Sequence, residues 1–277
     1  MLDSPTRISE KFDEVRLEGR MAFMPFITAG DPDLAATQQL IRELARRGVD
    51  LIEVGFPYSD PIADGPVIQA SYTRALEKKI QVADIFRAIA ELKPDSSPIP
   101  PLVAMVSYAI VFRIGPEEFV KQAAHAGFCG LIVPDLPADG AGEFGRIVRS
   151  HGLDLICLIA PTTSRARTVR IVQAASGFLY CISVAGTTGV RDELPAELRD
   201  QLSWLKTQTK LPLAVGFGIS RPEQAAQLRG VADGIIVGSA FVRRVAEASE
   251  GKTSVEAMVH ACGELAAELV NAVRAEI

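Results

Sequence analysis

The chain has 277 residues, of which 48% are hydrophobic and 23% charged, a composition typical of a globular protein with a large core. Its formal net charge of −5 gives no electrostatic reason to expect a nucleic acid or an anionic membrane as a partner. No apolar run reaches the ~18 residues of a membrane span, and the N-terminal residues carry no secretory pattern, so we expect a cytoplasmic protein.

The predicted elements alternate between strand and helix along the whole chain. Segments rich in Val, Ile and Leu predict strands over residues 21–28, 50–55, 101–106, 130–133, 153–159, 178–182, 213–215 and 234–237. Helical periodicity and capping signals predict helices over residues 6–17, 33–48, 66–92, 116–126, 140–150, 164–175, 195–207, 220–228, 240–246 and 254–275.

Eight apolar strands, each followed by a helix, predict a (β/α)8 barrel formed by one domain over residues 1–277. The strands do not alternate between apolar and polar residues, as is typical of a parallel sheet covered on both faces. An extra helix precedes the first strand, and a short one follows the eighth. The alternative is an open doubly wound sheet, which would favour a GxGxxG motif after the first strand, and this motif is absent.

Cysteine and histidine spacing gives no sign of a disulfide framework or a metal site. The four cysteines and three histidines are scattered, without CxxC or paired spacing, at positions Cys129, Cys157, Cys181, Cys262, His125, His151 and His260. We therefore expect reduced cysteines and no bound metal.

The second strand and its loop carry two carboxylates that are candidates for acid/base chemistry. Glu53 lies in an apolar run, where a carboxylate is costly without a partner or a function. Asp64 follows on the loop, and the loops after the strands form the active site in barrels of this kind. Burial would raise the pKa of Glu53, while hydrogen bonds would keep Asp64 ionised. The structural alternative is a salt-bridged Glu53 and an aspartate that only forms a turn.

Glycine-rich loops after the last three predicted strands indicate a phosphate site. They cover residues 185–189 and 216–220 and the pair Gly238 and Ser239, which opens the short helix. Backbone N–H groups at glycines and at a helix N-terminus bind anions, and barrels often bind phosphate in this region. The residues alone thus predict a barrel enzyme with a phosphorylated substrate and two carboxylates, and leave the substrate unnamed.

The stretch from Glu53 to Gln69 resembles the signature of the tryptophan synthase alpha chain family, and the resemblance covers almost the whole sequence. Further matching segments lie at residues 25–32, 133–137, 160–163, 186–189 and 216–220. The resemblance implies retro-aldol cleavage of indole-3-glycerol phosphate to indole and glyceraldehyde 3-phosphate. It also implies a pyridoxal-phosphate beta chain as the partner in an alpha2-beta2 heterotetramer, and no cofactor in this chain.

The resemblance also implies a role for individual residues. Glu53 would be the general acid/base, and Asp64 would stabilise the charge on the indole nitrogen. The expected substrate-binding residues are Phe26, Tyr180 and Thr188, and the expected phosphate-binding residues are Gly189, Gly218, Gly238 and Ser239. Thr188 would also close a mobile loop onto Asp64, and residues 57–61 and the loop after the third strand would face the beta chain.

Two positions depart from the family pattern. Ala109 stands where the family usually carries an asparagine that lies towards the beta chain, so the departure concerns the partner contact rather than the chemistry. Val184 and Ala185 stand in the loop where some members carry an arginine. Three alternatives remain at this stage, namely a stand-alone indole-glycerol-phosphate lyase, a non-catalytic activator of a beta chain, and another phosphate-binding barrel of amino-acid or cofactor synthesis. The last of these would share the glycine cluster but not the stretch from Glu53 to Gln69.

Overall fold

The computed structural model describes residues 5–61, 64–92, 97–137, 140–182, 196–216, 218 and 221–274. Within these residues, eight parallel strands close into a barrel in chain order, and the last strand pairs with the first. The strands are β1 Ala22–Thr28, β2 Ile52–Gly55, β3 Leu102–Met105, β4 Phe128–Ile132, β5 Asp154–Ile159, β6 Leu179–Ile182, β7 Leu213–Gly216 and β8 Gly234–Val237. The predicted (β/α)8 barrel is confirmed, and each predicted strand boundary lies within two residues of the observed one.

Helices surround the barrel and cover its lower end. They are α1 Arg7–Leu17, α2 Leu34–Arg46, α3 Pro66–Glu77, α4 Val82–Ala90, α5 Tyr108–Ile114, α6 Pro116–Ala126, α7 Ala141–Ser150, α8 Arg165–Ala174, α9 Ala196–Gln208, α10 Pro222–Ala226, α11 Ser239–Ser249 and α12 Val255–Arg274. In the described part of the chain, no helix is both long and apolar enough to cross a membrane.

The prediction of one helical region over residues 66–92 was wrong, because the chain forms two helices there. Lys79 adopts a left-handed conformation with φ 58°, which ends α3 and redirects the chain into α4. The two helices then pack on different neighbours: α3 packs on α11, whereas α4 packs on α2 and α6. The break therefore leaves α3 next to the helix that follows the eighth strand.

Two further helices differ from the prediction. The seven-residue α5 was missed, since so short a segment shows little periodicity, and Gly115 with φ 98° separates it from α6. The helix after β8 was predicted over residues 240–246 but spans Ser239–Ser249. Glu250 is the C-cap of this helix, and the next residue, Gly251, adopts φ 70°.

The barrel interior is filled by side chains from alternate strand positions and is closed from below by α1. Thr6 caps α1 in a reciprocal hydrogen-bond pair with Ser9, and Ile8, Phe12 and Val15 point into the barrel. The ring of Phe12 lies 5.5 Å from that of Phe178. This plug leaves the opposite end, where the strands end, as the open mouth of the barrel.

Candidate active site

The open mouth contains a pocket of about 290 Å³ that the ends of the strands and the helix α11 enclose. It brings together all the predicted site residues that lie within the described part of the chain. These are Phe26, Glu53, Asp64, Tyr180, Gly218, Gly238 and Ser239. Thr188 and Gly189, the other two predicted site residues, lie outside the described residues, as do Val184 and Ala185.

The inward direction of Glu53 follows from the two-residue period of a strand. Leu51 contributes to the barrel interior, so Glu53 and Gly55 face the same way. Glu53 is buried, and neither of its carboxyl oxygens has a hydrogen-bond partner among the described residues. Burial, together with the negative charge of Asp64, raises the pKa of Glu53 to about 8. The side chain is therefore protonated and uncharged at neutral pH.

Asp64 lies one loop later, in a less buried setting. Its backbone is fixed because its N–H donates to the carbonyl of Pro61 at 3.1 Å and its carbonyl accepts from the amide of Gln69 at 2.7 Å. Burial raises the pKa of Asp64 to about 6, while a 3.3 Å hydrogen bond from the Tyr58 hydroxyl opposes that rise. Asp64 is consequently an anion at neutral pH.

The two carboxyl groups thus differ in protonation although they share one pocket. Different surroundings that separate the pKa values of two acids are typical of acid/base pairs in enzymes. The fully buried group can give a proton, and the partly solvated group can stabilise a positive charge. The described residues provide no ion pair to the Glu53 carboxyl group, contrary to the salt-bridged alternative.

Two glycines make room for aromatic side chains around Glu53. A Cβ atom at Gly55 would lie 2.5 Å from the Phe26 ring and 2.9 Å from the Tyr72 hydroxyl. A Cβ atom at Gly216 would lie 2.6 Å from the Tyr180 hydroxyl. The absence of a Cβ atom at Gly55 and at Gly216 therefore leaves space in the barrel for these rings. They line an apolar slot beside the Glu53 carboxyl group.

The other end of the pocket suits an anion. Gly218 follows β7, and Gly238 and Ser239 stand at the N-terminus of α11, where backbone N–H groups and the helix dipole favour negative charge. The predicted phosphate-binding residues that the structure describes thus lie together on this side. Among the described residues, no cluster of three or more His, Cys, Asp or Glu side chains could hold a metal ion.

One charged pocket residue was missed by the sequence analysis. Arg243 lines the pocket, is exposed at its rim, and makes no ion pair with the described residues. The sequence spacing could have indicated Arg243, because residues i and i+4 share a helix face and Arg243 follows Ser239 by four positions. Arg243 is the one basic side chain that lines the pocket within the described part of the chain.

A second, larger groove lies beside the pocket and contains Ala109. It has a volume of about 750 Å³ and runs between the loop after β2 and the helix α5. Asp135 fixes the start of α5, because its carboxylate accepts hydrogen bonds of 2.7 Å from the Ser107 hydroxyl and from the backbone N–H of Tyr108. On the same helix, Phe112 is 70% exposed, which leaves a large apolar side chain in contact with solvent.

Comparisons with known proteins agree over almost the whole length of the chain. The family model for the tryptophan synthase alpha chain matches residues 12–271. The chain is 49% identical to the tryptophan synthase alpha chain of Rhodopirellula baltica over 98% of this chain and 99% of that protein. It is 46% identical to that of Methanosarcina mazei over 91% of each chain.

Solved structures give the same result for the fold. The crystal structure of tryptophan synthase subunit alpha from Legionella pneumophila superimposes with a TM-score of 0.87 at 36% identity, over 98% of this chain and 99% of that chain. A structure of Mycobacterium tuberculosis tryptophan synthase gives a TM-score of 0.86 at 32% identity, over 99% of this chain and 100% of that chain.

Proposed function

Because this chain belongs to the tryptophan synthase alpha chain family, we propose that Glu53 and Asp64 carry out the chemistry of that family in the barrel pocket. The chain is the alpha subunit of tryptophan synthase and a carbon–carbon lyase of tryptophan biosynthesis. It cleaves indole-3-glycerol phosphate to indole and glyceraldehyde 3-phosphate. That cleavage needs a proton at C3 of the indole, stabilisation of the cation that results, and removal of a proton from a glycerol hydroxyl.

Glu53 serves as both acid and base in this proposal. Its carboxyl group first gives its proton to C3, which places a positive charge on the ring and leaves Glu53 as a carboxylate. The carboxylate then takes the proton of the glycerol hydroxyl as the carbon–carbon bond breaks and the ring recovers its aromaticity. Glu53 ends the cycle protonated, so the proton balance closes without a cofactor. General acid/base assistance of this kind contributes about 10²–10⁴ in rate.

Asp64 stabilises the intermediate. Its carboxylate accepts the indole N–H, which becomes more acidic when the ring is cationic. A preorganised charge next to a developing charge of opposite sign acts as an oxyanion hole does, with the signs reversed. The observation that carries the proposal is that the buried Glu53 carboxyl group has no hydrogen-bond partner among the described residues, since its pKa of about 8 keeps a proton available at neutral pH.

The substrate spans the pocket from the carboxyl pair to α11. We propose that the indole lies in the slot between Phe26 and Tyr180, which line the pocket together with Glu53. The phosphate then rests on the backbone N–H groups at Gly218, Gly238 and Ser239, with Gly189 as a further proposed contact. Thr188 is proposed to close over the bound substrate onto Asp64.

Membership of the family implies a beta chain as the partner. We propose an alpha2-beta2 heterotetramer in which the beta chain covers the groove that contains Ala109. The exposed Phe112 beside that groove, whose ring lies 6.1 Å from that of Tyr108, supports the proposal, because aromatic side chains are enriched in protein–protein interfaces. Pyridoxal phosphate is proposed to belong to the beta chain, and this chain is proposed to need no cofactor of its own.

The test is release of indole from indole-3-glycerol phosphate by the purified chain, with and without a beta chain. We expect slow release by the chain alone and a steep rise with the partner. Glu53→Gln is expected to lose turnover far more than substrate binding, because its effect lies in the transition state. A near-normal kcat for Glu53→Gln would contradict the acid/base assignment, and no release in either assay would contradict the function.

A further inference from the structure

The hydroxyl of Tyr72 is a buried polar group that the mechanism above leaves unused. Its side chain has no solvent exposure, and its oxygen has no hydrogen-bond partner among the described residues. Such groups are rare, since an unpaired buried hydroxyl costs free energy and calls for an explanation. The two carboxyl oxygens of Glu53 share this condition. A donor and an acceptor therefore stay unpaired near one another in the same part of the barrel.

The geometry of β2 relates the two groups. Gly55 follows Glu53 by two residues, so the two positions face the barrel interior at consecutive levels, roughly 6.6 Å apart along the strand. The Tyr72 hydroxyl lies 2.9 Å from the place of a Cβ atom at Gly55. It therefore lies at the level of Gly55, the next inward-facing position after Glu53, and it makes no hydrogen bond to the Glu53 carboxyl group in the resting structure.

Packing fixes Tyr72 at this place. The ring belongs to a small apolar cluster with Phe26, Ile68 and Val242, which joins α3 to β1 and α11. The neighbouring Ser71 is held by a 2.6 Å hydrogen bond with Thr28 of β1. The hydroxyl is thus presented towards the barrel by rigid elements, which is the arrangement that a positioning group requires.

We propose that Tyr72 is a positioning residue for Glu53, and that its hydroxyl donates to the Glu53 carboxylate, directly or through one water, after that group has protonated the substrate. The inference rests on the proposed role of Glu53. At that moment a carboxylate is created in a buried site beside the negative Asp64, and in the resting structure its oxygens accept no hydrogen bond from the described residues. A fixed donor lowers the free energy of the charged form when it appears.

The surrounding charges keep Tyr72 a donor throughout. Burial, and then the charges of nearby acids, raise the pKa of Tyr72 well above its usual value, so the hydroxyl stays protonated. The titratable or charged groups around this pair come from the loop after β2, from β6 and from α11. Among the described residues, they are Asp64, Tyr58, Tyr180 and Arg243.

The experiment compares Tyr72→Phe with Tyr108→Phe in the purified full chain. Tyr108 lies on α5, outside the pocket, and loses the same single oxygen atom. For Tyr72→Phe we expect kcat to fall about tenfold to a hundredfold, as for a lost hydrogen bond to a charged group, while KM stays within about twofold. The alkaline limb of the pH profile should move to higher pH, because the loss of a donor to the charged form of Glu53 raises the pKa of that group. Thermal stability should not fall, and Tyr108→Phe should match the wild type in every respect.

A purely structural Tyr72 predicts a different pattern. An unchanged kcat and an unchanged alkaline limb in Tyr72→Phe would overturn the inference, as would a loss of kcat that comes with a lower melting temperature and a raised KM. Glu53→Gln, measured in parallel, separates this failure from that of the proposed function. If Glu53→Gln is inactive and Tyr72→Phe is normal, only the inference fails; if Glu53→Gln is active, the proposed acid/base role of Glu53 fails first.

Discussion

Replacing Glu53 with Gln should stabilise the folded chain at alkaline pH while it abolishes turnover. The pKa of Glu53 rises from 4.5 to about 8 because the carboxyl group is buried and faces Asp64. The folded state therefore holds a proton that the unfolded chain releases. The stability linked to Glu53 is fully present below pH 4.5 and is lost as the pH rises towards 8. Glutamine has the shape of the protonated acid and does not titrate, so it escapes this loss.

The size of the effect follows from the two pKa values. Each pH unit between them is worth about 1.4 kcal/mol, so the free energy of unfolding of the wild type should fall by at most about 5 kcal/mol relative to Glu53→Gln. Glu53 lines a pocket that water can enter, and water stabilises the ionised form. We therefore expect a gap of about 2–5 kcal/mol that opens between pH 5 and pH 8.5.

The assay is urea unfolding of both proteins at several pH values and constant ionic strength, followed by circular dichroism. Glu43→Gln is the matched control, because Glu43 is also a buried glutamate on the same chain. Burial alone would raise the pKa of Glu43, but hydrogen bonds from Arg46 and Arg47 outweigh it and lower the pKa. Its stabilising contribution is present above about pH 4.5 and is lost as the pH falls. Glu43→Gln should therefore destabilise the chain at pH 8 and match the wild type in acid.

The result that would refute this reasoning is a gap between Glu53→Gln and wild type that does not change from pH 5 to pH 8.5. Glu53 would then not titrate in this range, and the acid proposed for catalysis would be ionised at neutral pH. A gap of the opposite sign, with the wild type gaining stability as the pH rises, would mean that a cation pairs with Glu53.

Three further predictions concern the rest of the pocket. Asp64→Asn should remove the acid limb of the kcat/KM profile near pH 6 and shift the alkaline limb to lower pH, since burial raises the pKa of Asp64 to about 6 and the charge of Asp64 raises the pKa of Glu53. An acid limb that persists in this variant would belong to another group. Gly238→Asp should raise KM more than a hundredfold, because two like charges about 4 Å apart repel by about 4 kcal/mol near a surface. Gly238→Ala should bind the substrate nearly normally, because its Cβ atom would lie at an ordinary 3.4 Å from the Phe26 Cβ atom. Equal KM values for the two variants would show that the phosphate lies elsewhere. Arg243→Gln should raise KM up to about fivefold, and more so at low salt. Arg244→Gln changes the net charge equally and should leave KM unchanged, because the Arg244 side chain donates to the Ala240 carbonyl.

The architecture of this protein was readable from its sequence because barrel strands are short, apolar and regularly spaced. Each predicted strand lies within two residues of the observed one, since burial on both faces produces an uninterrupted apolar run whatever the register. The helices were less predictable at their ends. Lys79 ends α3 through a left-handed conformation that a lysine rarely adopts, and no sequence rule assigns it to that residue.

The candidate site was predictable in its residue types but not in its electrostatics. A glutamate in an apolar strand and glycines after the later strands were visible as local patterns, and they did predict the pocket where Glu53, Gly238 and Ser239 meet. That the Glu53 carboxyl group has no partner in the described part of the chain depends on which side chains surround it, and those come from separate strands and helices. The sequence could not exclude a salt bridge to a distant arginine.

Tyr72 illustrates the part that only the tertiary structure decided. In the sequence it is an aromatic residue in a helix, with nothing to separate it from any other core side chain. Its hydroxyl reaches the barrel interior because Gly55, on another element, lacks a Cβ atom, and because α3 packs against β1 and α11. Periodicity along one helix carries no information about a missing Cβ atom on a neighbouring strand. The sequence therefore determined the barrel and the end of the barrel that holds the pocket, whereas packing between elements determined which side chains meet in that pocket.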